Sequence, residues 1–210
     1  MTLSIQTGVN YEYVDQATGK FTLLQGGTRS GKTYSVLQWI VVQALTRAVT
    51  IDIFRKYGAT HTNSLLRDWE RILADLQIPH TVNKTERSYK IGQSTITFCG
   101  ADDPQKLRGA GRDIAYLNEA NELTQEDFMQ IDFRTTQRVI MDFNPSMMRH
   151  WLYDLAKGPK ADQVSFYKST YRDNLFLSPQ IIRSIEDLQF TNPAKWKVYG
   201  EGEAATAEEI

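Results

Sequence analysis

The stretch GGTRSGKT, Gly26 to Thr33, constrains this chain more than any other, because it fits the pattern GxxxxGK(S/T). A short apolar run, FTLLQ (Phe21 to Gln25), precedes it. The segment KTYSVLQWIVVQALTRA (Lys32 to Ala48), long enough for a helix, follows. Glycines let the backbone aim successive N–H groups inward, which makes an anion cradle at the positive end of a helix dipole. In such a loop Gly26, Gly27, Thr28, Arg29, Ser30 and Gly31 surround the phosphates. Lys32 then reaches the β- and γ-phosphates, and the Thr33 hydroxyl ligates magnesium. ATP and Mg2+ are the ligands this pattern predicts. Arg29 lies inside the loop, where its charge either folds over the γ-phosphate or stays in solvent; both readings remain open.

The rest of the chain alternates strands with helices. VTIDIFRK (Val49 to Lys56) is β-branched and predicts a second strand, and TNSLLRDWERILADLQI (Thr62 to Ile78) sets Leu65, Leu66, Trp69, Ile72, Leu73 and Leu76 at helical spacing. That stripe is core packing. YKIGQSTITFCG (Tyr89 to Gly100) alternates and turns at Gly92 and Gln93, which predicts a hairpin or two short strands. IAYL (Ile114 to Leu117) is a strand, TQEDFMQIDF a helix capped by Thr124 with Asp127 completing a near capping box, and RVIMDF (Arg138 to Phe143) a further strand. Met147 to Lys157 reads as a helix and Gln163 to Tyr171 as a strand. Ser178 to Phe190 is a helix with Pro179 at its first position. The order predicts an α/β fold with a mainly parallel central sheet flanked by helices.

With 210 residues the chain supports one domain with a sizeable core and too little for two enzymatic domains. Its apolar runs, such as WIVVQAL, fall short of a bilayer span, and the N-terminus lacks a basic region followed by an apolar stretch. The lone Cys99 excludes an internal disulfide and a cysteine zinc cluster, so an intracellular setting is the default expectation. A net charge of −1 does not advertise nucleic acid, although basic residues concentrate locally in NKTERSYK (Asn83 to Lys90) and KLRGAGR (Lys106 to Arg112). The first group reads as solvated surface. From Gly200 onward, GEGEAATAEEI offers no apolar face and reads as a linker or frayed tail.

A hydrolytic site needs a carboxylate that orients water in line with the γ-phosphate. Glu119, just beyond IAYL, stands where the carboxyl end of a parallel strand faces a nucleotide crevice. Many such strands end in two acids, but here Asn118 occupies the other place. Its amide oxygen would accept a hydrogen bond from a metal-bound water, and what it lacks is charge. Asp142, near the end of the next strand, could restore a charge, with its orientation left open by the alternation with Met141 and Phe143. In DFNPS, Asn144 ends that strand where it can sense the γ-phosphate or the attacking water, or where it forms a plain turn. Tyr11, Tyr13 and Gln16 lie upstream of the loop as candidate adenine contacts, with ordinary packing as the alternative.

Taken together, LLQGGTRSGKTYS, IDIFRK, KLRGAGRDIAYLNEANEL, RVIMDFNPS and STYRDNLFLSPQIIRSIEDL with YGEGE resemble the ATPase domain of the large terminase subunit of tailed bacteriophages. The resemblance implies a P-loop NTPase of the ASCE type with a small C-terminal lid region. It implies an ATP-hydrolysing motor that drives double-stranded DNA into the procapsid. On the family's pattern Lys32 and Thr33 are the Walker A phosphate and metal residues, Glu119 the catalytic carboxylate, Asn144 the coupling residue and Arg29 the loop arginine. Arg108 matches an arginine that acts in trans on a neighbouring subunit's ATP, with Arg112 as the fallback. Asn118 departs from the acid common in the wider group. The implied partners are the phage portal and procapsid, the small terminase subunit and copies of the chain in a ring, the isolated chain being a monomer and no membrane taking part. The implied location is the host cytoplasm and, transiently, the procapsid. Residues 1–200 would be the ATPase domain, with about 165–200 as a lid, and 201–210 a tail toward a nuclease domain that this chain does not contain. Two other classes remain open: a P-loop kinase for a small molecule, which would need an acceptor site, and a nucleotide-binding module without turnover.

Overall fold

Apolar side chains alternate between two faces along the central strands, and this alternation sets the layers. The computed structural model describes residues 4–58, 64–103, 107, 109–145 and 148–204. Strands β1 (Phe21–Gly26), β2 (Thr50–Arg55), β3 (Thr81–Asn83), β4 (Ser88–Ile91), β5 (Ser94–Gly100), β6 (Arg112–Leu117), β7 (Thr135–Phe143) and β8 (Val164–Ser169) form one eight-stranded sheet in the order β3-β4-β5-β2-β6-β7-β1-β8. Only the β3-β4-β5 end is antiparallel; the other described pairings are parallel. On one face Leu24, Ile114, Tyr116 and Ile140 pack with Val36, Leu37 and Ile40 of helix α2 (Lys32–Thr46). On the other, Leu23, Ala115, Leu117, Met141 and Phe143 meet Phe128 and Ile131 of α4 (Gln125–Asp132) and Leu152 of α5 (Trp151–Lys157). A one-residue slip of any central strand would exchange these sets, so register is strongly specified.

The helices follow their local signals. In α3 (Leu65–Asp75) Leu65, Trp69, Ile72 and Leu73 are buried, and Leu66 and Leu76 pack at the rim of the same core. Trp69 meets Tyr89 and Phe98 edge-on, each at 5.8 Å between ring centres. Helix α4 carries the capping box: Thr124 accepts from the Asp127 N–H at 3.1 Å while Asp127 accepts from the Thr124 N–H at 2.9 Å. The hairpin turns at Gly92, whose φ of 57° is left-handed. NKTERSYK lies on the β3-β4 hairpin, exposed through its turn.

Three expectations meet a different geometry. Helix α5 starts at Trp151, because the ring of His150 caps it by accepting the Leu152 N–H at 3.3 Å. An N-terminal helix, α1 (Val9–Gln16), packs on α2 through Val14 where no helix was expected. The chain from Gly200 to Glu203 does not fray: Gly202 (φ 65°) accepts a hydrogen bond from Gln25 at 2.8 Å, and Glu203 pairs with Lys168 at 2.9 Å. The low complexity of that segment hid glycines whose value is close approach to another backbone.

Candidate functional site

Because β1, β6 and β7 are adjacent and parallel, their carboxyl ends open at one edge of the sheet. Gly26-Gly27, Asn118-Glu119 and Asp142-Asn144 therefore converge there, where open α/β sheets bind ligands. A cavity of about 820 Å³ lies at this edge. It is bordered by the loop from Gly27 to Thr33, by Glu119, Asp142 and Asn144, and by α3 residues including Asp68 and Arg71.

The loop needs its glycines. Gly31 caps α2 in the left-handed conformation, φ 83°. A Cβ on Gly27 would lie 2.0 Å from the Tyr199 carbonyl oxygen, so the segment at Val198 and Tyr199 packs directly on the loop. Arg29 is also left-handed, φ 67°, an uncommon conformation for a residue with a side chain. It is exposed at the cavity; across the opening burial raises the Asp68 carboxyl pKa, opposed by Arg67, Arg71 and Arg29. Two asparagines brace the loop: Asn10 of α1 donates to the Ser30 carbonyl and Asn174 to the Arg29 carbonyl, each at 2.8 Å.

Lys32 is folded into the loop. Its Nζ donates to the carbonyls of Gly26 (2.8 Å) and Gly27 (3.1 Å), to Ser30 Oγ (3.0 Å) and to Asn144 Oδ1 (3.3 Å). Burial lowers its pKa to about 8, against the pull of Asp142 and Glu119. A cation kept inside an anion cradle is what phosphate oxygens would draw out. Behind it, Thr33 Oγ1 donates to Asp142 Oδ2 at 3.0 Å. The Asn118 amide nitrogen donates to Asp142 Oδ1 (3.0 Å), Thr33 Oγ1 (3.1 Å) and the Tyr116 hydroxyl (3.2 Å). The part of Asn118 turned toward Thr33 is thus its NH₂, not the carbonyl oxygen expected to face a metal-bound water.

Glu119 stands at the rim with its backbone in the left-handed region, φ 53°, ψ 50°. Its N–H donates to Asp142 Oδ1 at 2.9 Å, and its carboxylate is ion-paired with Arg55 at the end of β2. This pairing fixes where the carboxylate now points.

Lys32, Thr33, Glu119, Asn118 and Asn144 therefore share one site with the backbone of Gly26 to Gly31. Arg108 lies outside the described residues. Arg112, the fallback, is corrected: it opens β6 at the opposite end of the strand, buried against Asp52 at 2.5 Å and stacked over Phe54 at 5.0 Å. Of the residues upstream of the loop, Tyr11 and Tyr13 take the ordinary packing role. Tyr13 stacks on Tyr167 (4.5 Å, 8° between planes), Tyr11 packs against the core, and the cavity wall is instead Ile5, Gln6, Gly8 and Asn10. No pattern in the sequence links Asn10 or Asn174 to the loop, since both reach it only through tertiary folding.

A model of the family described as phage terminase large subunit matches residues 18–203. The terminase large subunit of the PBSX phage of Bacillus subtilis (strain 168) is 22% identical over 220 residues, 91% of this chain and 51% of that protein. The chain spans about half the length of the curated relatives it matches. Among solved structures, the large terminase of a thermophilic bacteriophage, in complex with ATP-gamma-S, is similar with a TM-score of 0.78 at 14% identity, over 94% of this chain and 52% of that one. The ATPase domain of the Thermus phage P74-26 large terminase is similar with a TM-score of 0.72 at 13% identity, over 97% of this chain and 96% of that one. At these identities the two structures share the fold.

Proposed function

This chain belongs to the phage terminase large subunit family, and from that premise we propose that it is an ATP-hydrolysing motor domain that helps drive double-stranded DNA into a procapsid. The observation that carries the reading is the convergence of Lys32, Thr33, Glu119 and Asn144 on one cavity beside a left-handed glycine loop. The large terminase of the thermophilic phage, similar in fold, has been captured with ATP-gamma-S.

The loop N–H groups and the α2 dipole bind the nucleotide phosphates, and Lys32 leaves the Gly26 and Gly27 carbonyls to meet them. The Thr33 hydroxyl and the Asp142 carboxylate are hard oxygen groups 3.0 Å apart, a donor pair suited to Mg2+. A magnesium ion held there would supply charge neutralisation to the nucleotide phosphates. Glu119 orients and activates the attacking water once its carboxylate separates from Arg55. Asn144, in contact with Lys32, registers the position of the lysine and passes it to the exit of β7. Arg29 stands at the cavity mouth as a second cation for the γ-phosphate.

Arg108 of a neighbouring copy is the trans-acting cation in a ring of subunits, so the isolated domain turns over slowly; such an arginine contributes about 10³ to 10⁵ in rate. The portal, procapsid and small terminase subunit are the assembly partners, and the host cytoplasm and the procapsid are the places of action. Among the described residues no helix is long and apolar enough to cross a membrane. We assign residues 1–200 to the ATPase domain; the lid expected over about 165–200 can begin only after β8 (Val164–Ser169), which is a strand of the central sheet.

Lys32→Ala should abolish nucleotide binding and phosphate release together. Phosphate release measured on the purified variant checks this, and undiminished hydrolysis would remove the assignment.

A further inference from the structure

The strand that ends in Asn118-Glu119 lacks one of the two acids that such a site uses, and the neighbouring strand holds a carboxylate in the vacant role. We propose that Asp142 supplies the negative charge on the cation side of the site, and that Asn118 serves to hold Asp142 against Thr33. This rests on the nucleotide-binding reading above.

Register makes the substitution possible. β6 and β7 run parallel with Leu117 opposite Met141, so the next residues, Asn118 and Asp142, stand side by side. Alternation then decides the face. Met141 and Phe143 pack with α4 and α5, whereas Ile140 packs in the core beneath α2, and Asp142 shares the side of Ile140. Its carboxylate consequently meets the first turn of α2, where Thr33 lies.

The hydrogen bonds assign the roles. Asp142 Oδ1 accepts from the Glu119 N–H (2.9 Å) and from Asn118 Nδ2 (3.0 Å), and Oδ2 accepts from Thr33 Oγ1 (3.0 Å) and Asn118 Nδ2 (3.3 Å). Thr33 thus spends its proton on Asp142 and one lone pair on Asn118 Nδ2, which leaves its second lone pair for a cation in the cavity. Asn118, by contrast, presents N–H donors to the same region, and a donor can neither ligate a cation nor accept a hydrogen bond from a cation-bound water. Its amide accounts for lone pairs that a buried carboxylate would otherwise leave unpartnered. Asp142 is 2% exposed yet borders the cavity. Its carboxylate is met by the neutral donors Thr33 Oγ1, Asn118 Nδ2 and the Glu119 N–H, while Lys32 Nζ is turned to the Gly26 and Gly27 carbonyls, so a divalent cation in the cavity would be its countercharge.

The pair is reciprocal, which gives a sharp test. ADP affinity is measured by calorimetry in MgCl2 and in EDTA, and the ratio of the two affinities reports how strongly cation and nucleotide support each other. Asp142→Asn keeps the shape and removes the charge; its ratio should fall by about tenfold or more, the scale of lost support around a metal, through affinity lost in MgCl2 and not in EDTA. The exchange Asn118→Asp with Asp142→Asn returns one carboxylate to the pair and should restore the ratio. A purely structural role would weaken binding in EDTA as well. An unchanged ratio in Asp142→Asn overturns the inference. If that variant does not fold, as judged by circular dichroism, the exchanged pair decides alone: a restored ratio supports the inference, and a lost one overturns it. Wild type that binds ADP in neither buffer removes the nucleotide-site reading and this inference with it.

Discussion

At the scale of residues, two side chains are held in positions from which the chemistry requires them to move. Glu119 is committed to Arg55, with side-chain exposures of 37% for the glutamate and 13% for the arginine, so the pair is partly screened. An ion pair of this kind is worth about 0.5–1 kcal/mol. Arg55→Ala should therefore raise basal phosphate release from the isolated domain by about twofold to fivefold; a fall would show that Arg55 works in the transition state instead. Lys32 has a pKa of about 8 in the folded chain against an ordinary 10.5, chiefly through burial. Between those values the unfolded chain binds more protons than the folded one, so stability rises with pH across that window and the cost is fully present below it. Phosphate oxygens favour the charged lysine. Nucleotide binding just above pH 8 should then take up a proton, seen by calorimetry in buffers of different ionisation enthalpy; no uptake would contradict the buried, partly neutral lysine. Lys32, Thr33 and Glu119 were legible because a local motif and a strand end fix them. The role of Asp142 was open, because alternation alone does not say which face of β7 looks toward α2.

At the scale of elements, the α3 stripe shows how a helix beside the cavity is anchored. Trp69 is fully buried against Tyr89 and Phe98, while Asp68 and Arg71, its neighbours in sequence, border the cavity. Trp69→Ala should cost about 3–5 kcal/mol of unfolding free energy in denaturant titration; a loss well under 1 kcal/mol would mean the core refills around it. The sequence pattern foretold this helix, the Gly92 hairpin, the Thr124 capping box and Pro179 at the first position of its helix (Pro179–Glu186). It did not foretell α1, whose VNYEYVDQ carries too little apolar periodicity to stand alone and is held by packing on α2. It also extended the α5 helix too far toward its N-terminus, because a histidine cap is not among the usual signals.

At the scale of the whole molecule, both described ends of the chain lie on the phosphate loop. Asn10 bonds to it from one side, beside Ile5, Gln6 and Gly8 in the cavity wall; Asn174 and the segment from Tyr199 to Gly202 hold it from the other. An eight-stranded parallel-dominated sheet carries the loop, the carboxylates and Asn144 on strand ends at one edge, and the Gln25–Gly202 and Asn174–Arg29 hydrogen bonds tie that edge to the segments that follow β8. The alternation of strands and helices made the architecture legible, whereas the two-sided clamp on the loop depends on segments too far apart in sequence to be paired by any local signal. The central claim is that this assembly hydrolyses ATP through Glu119. Its most direct test compares phosphate release by wild type and Glu119→Gln at saturating ATP and Mg2+, with nucleotide binding measured alongside. Equal binding and a loss of turnover of about 10² or more are expected in the variant. Equal turnover in the two proteins would contradict hydrolysis through Glu119.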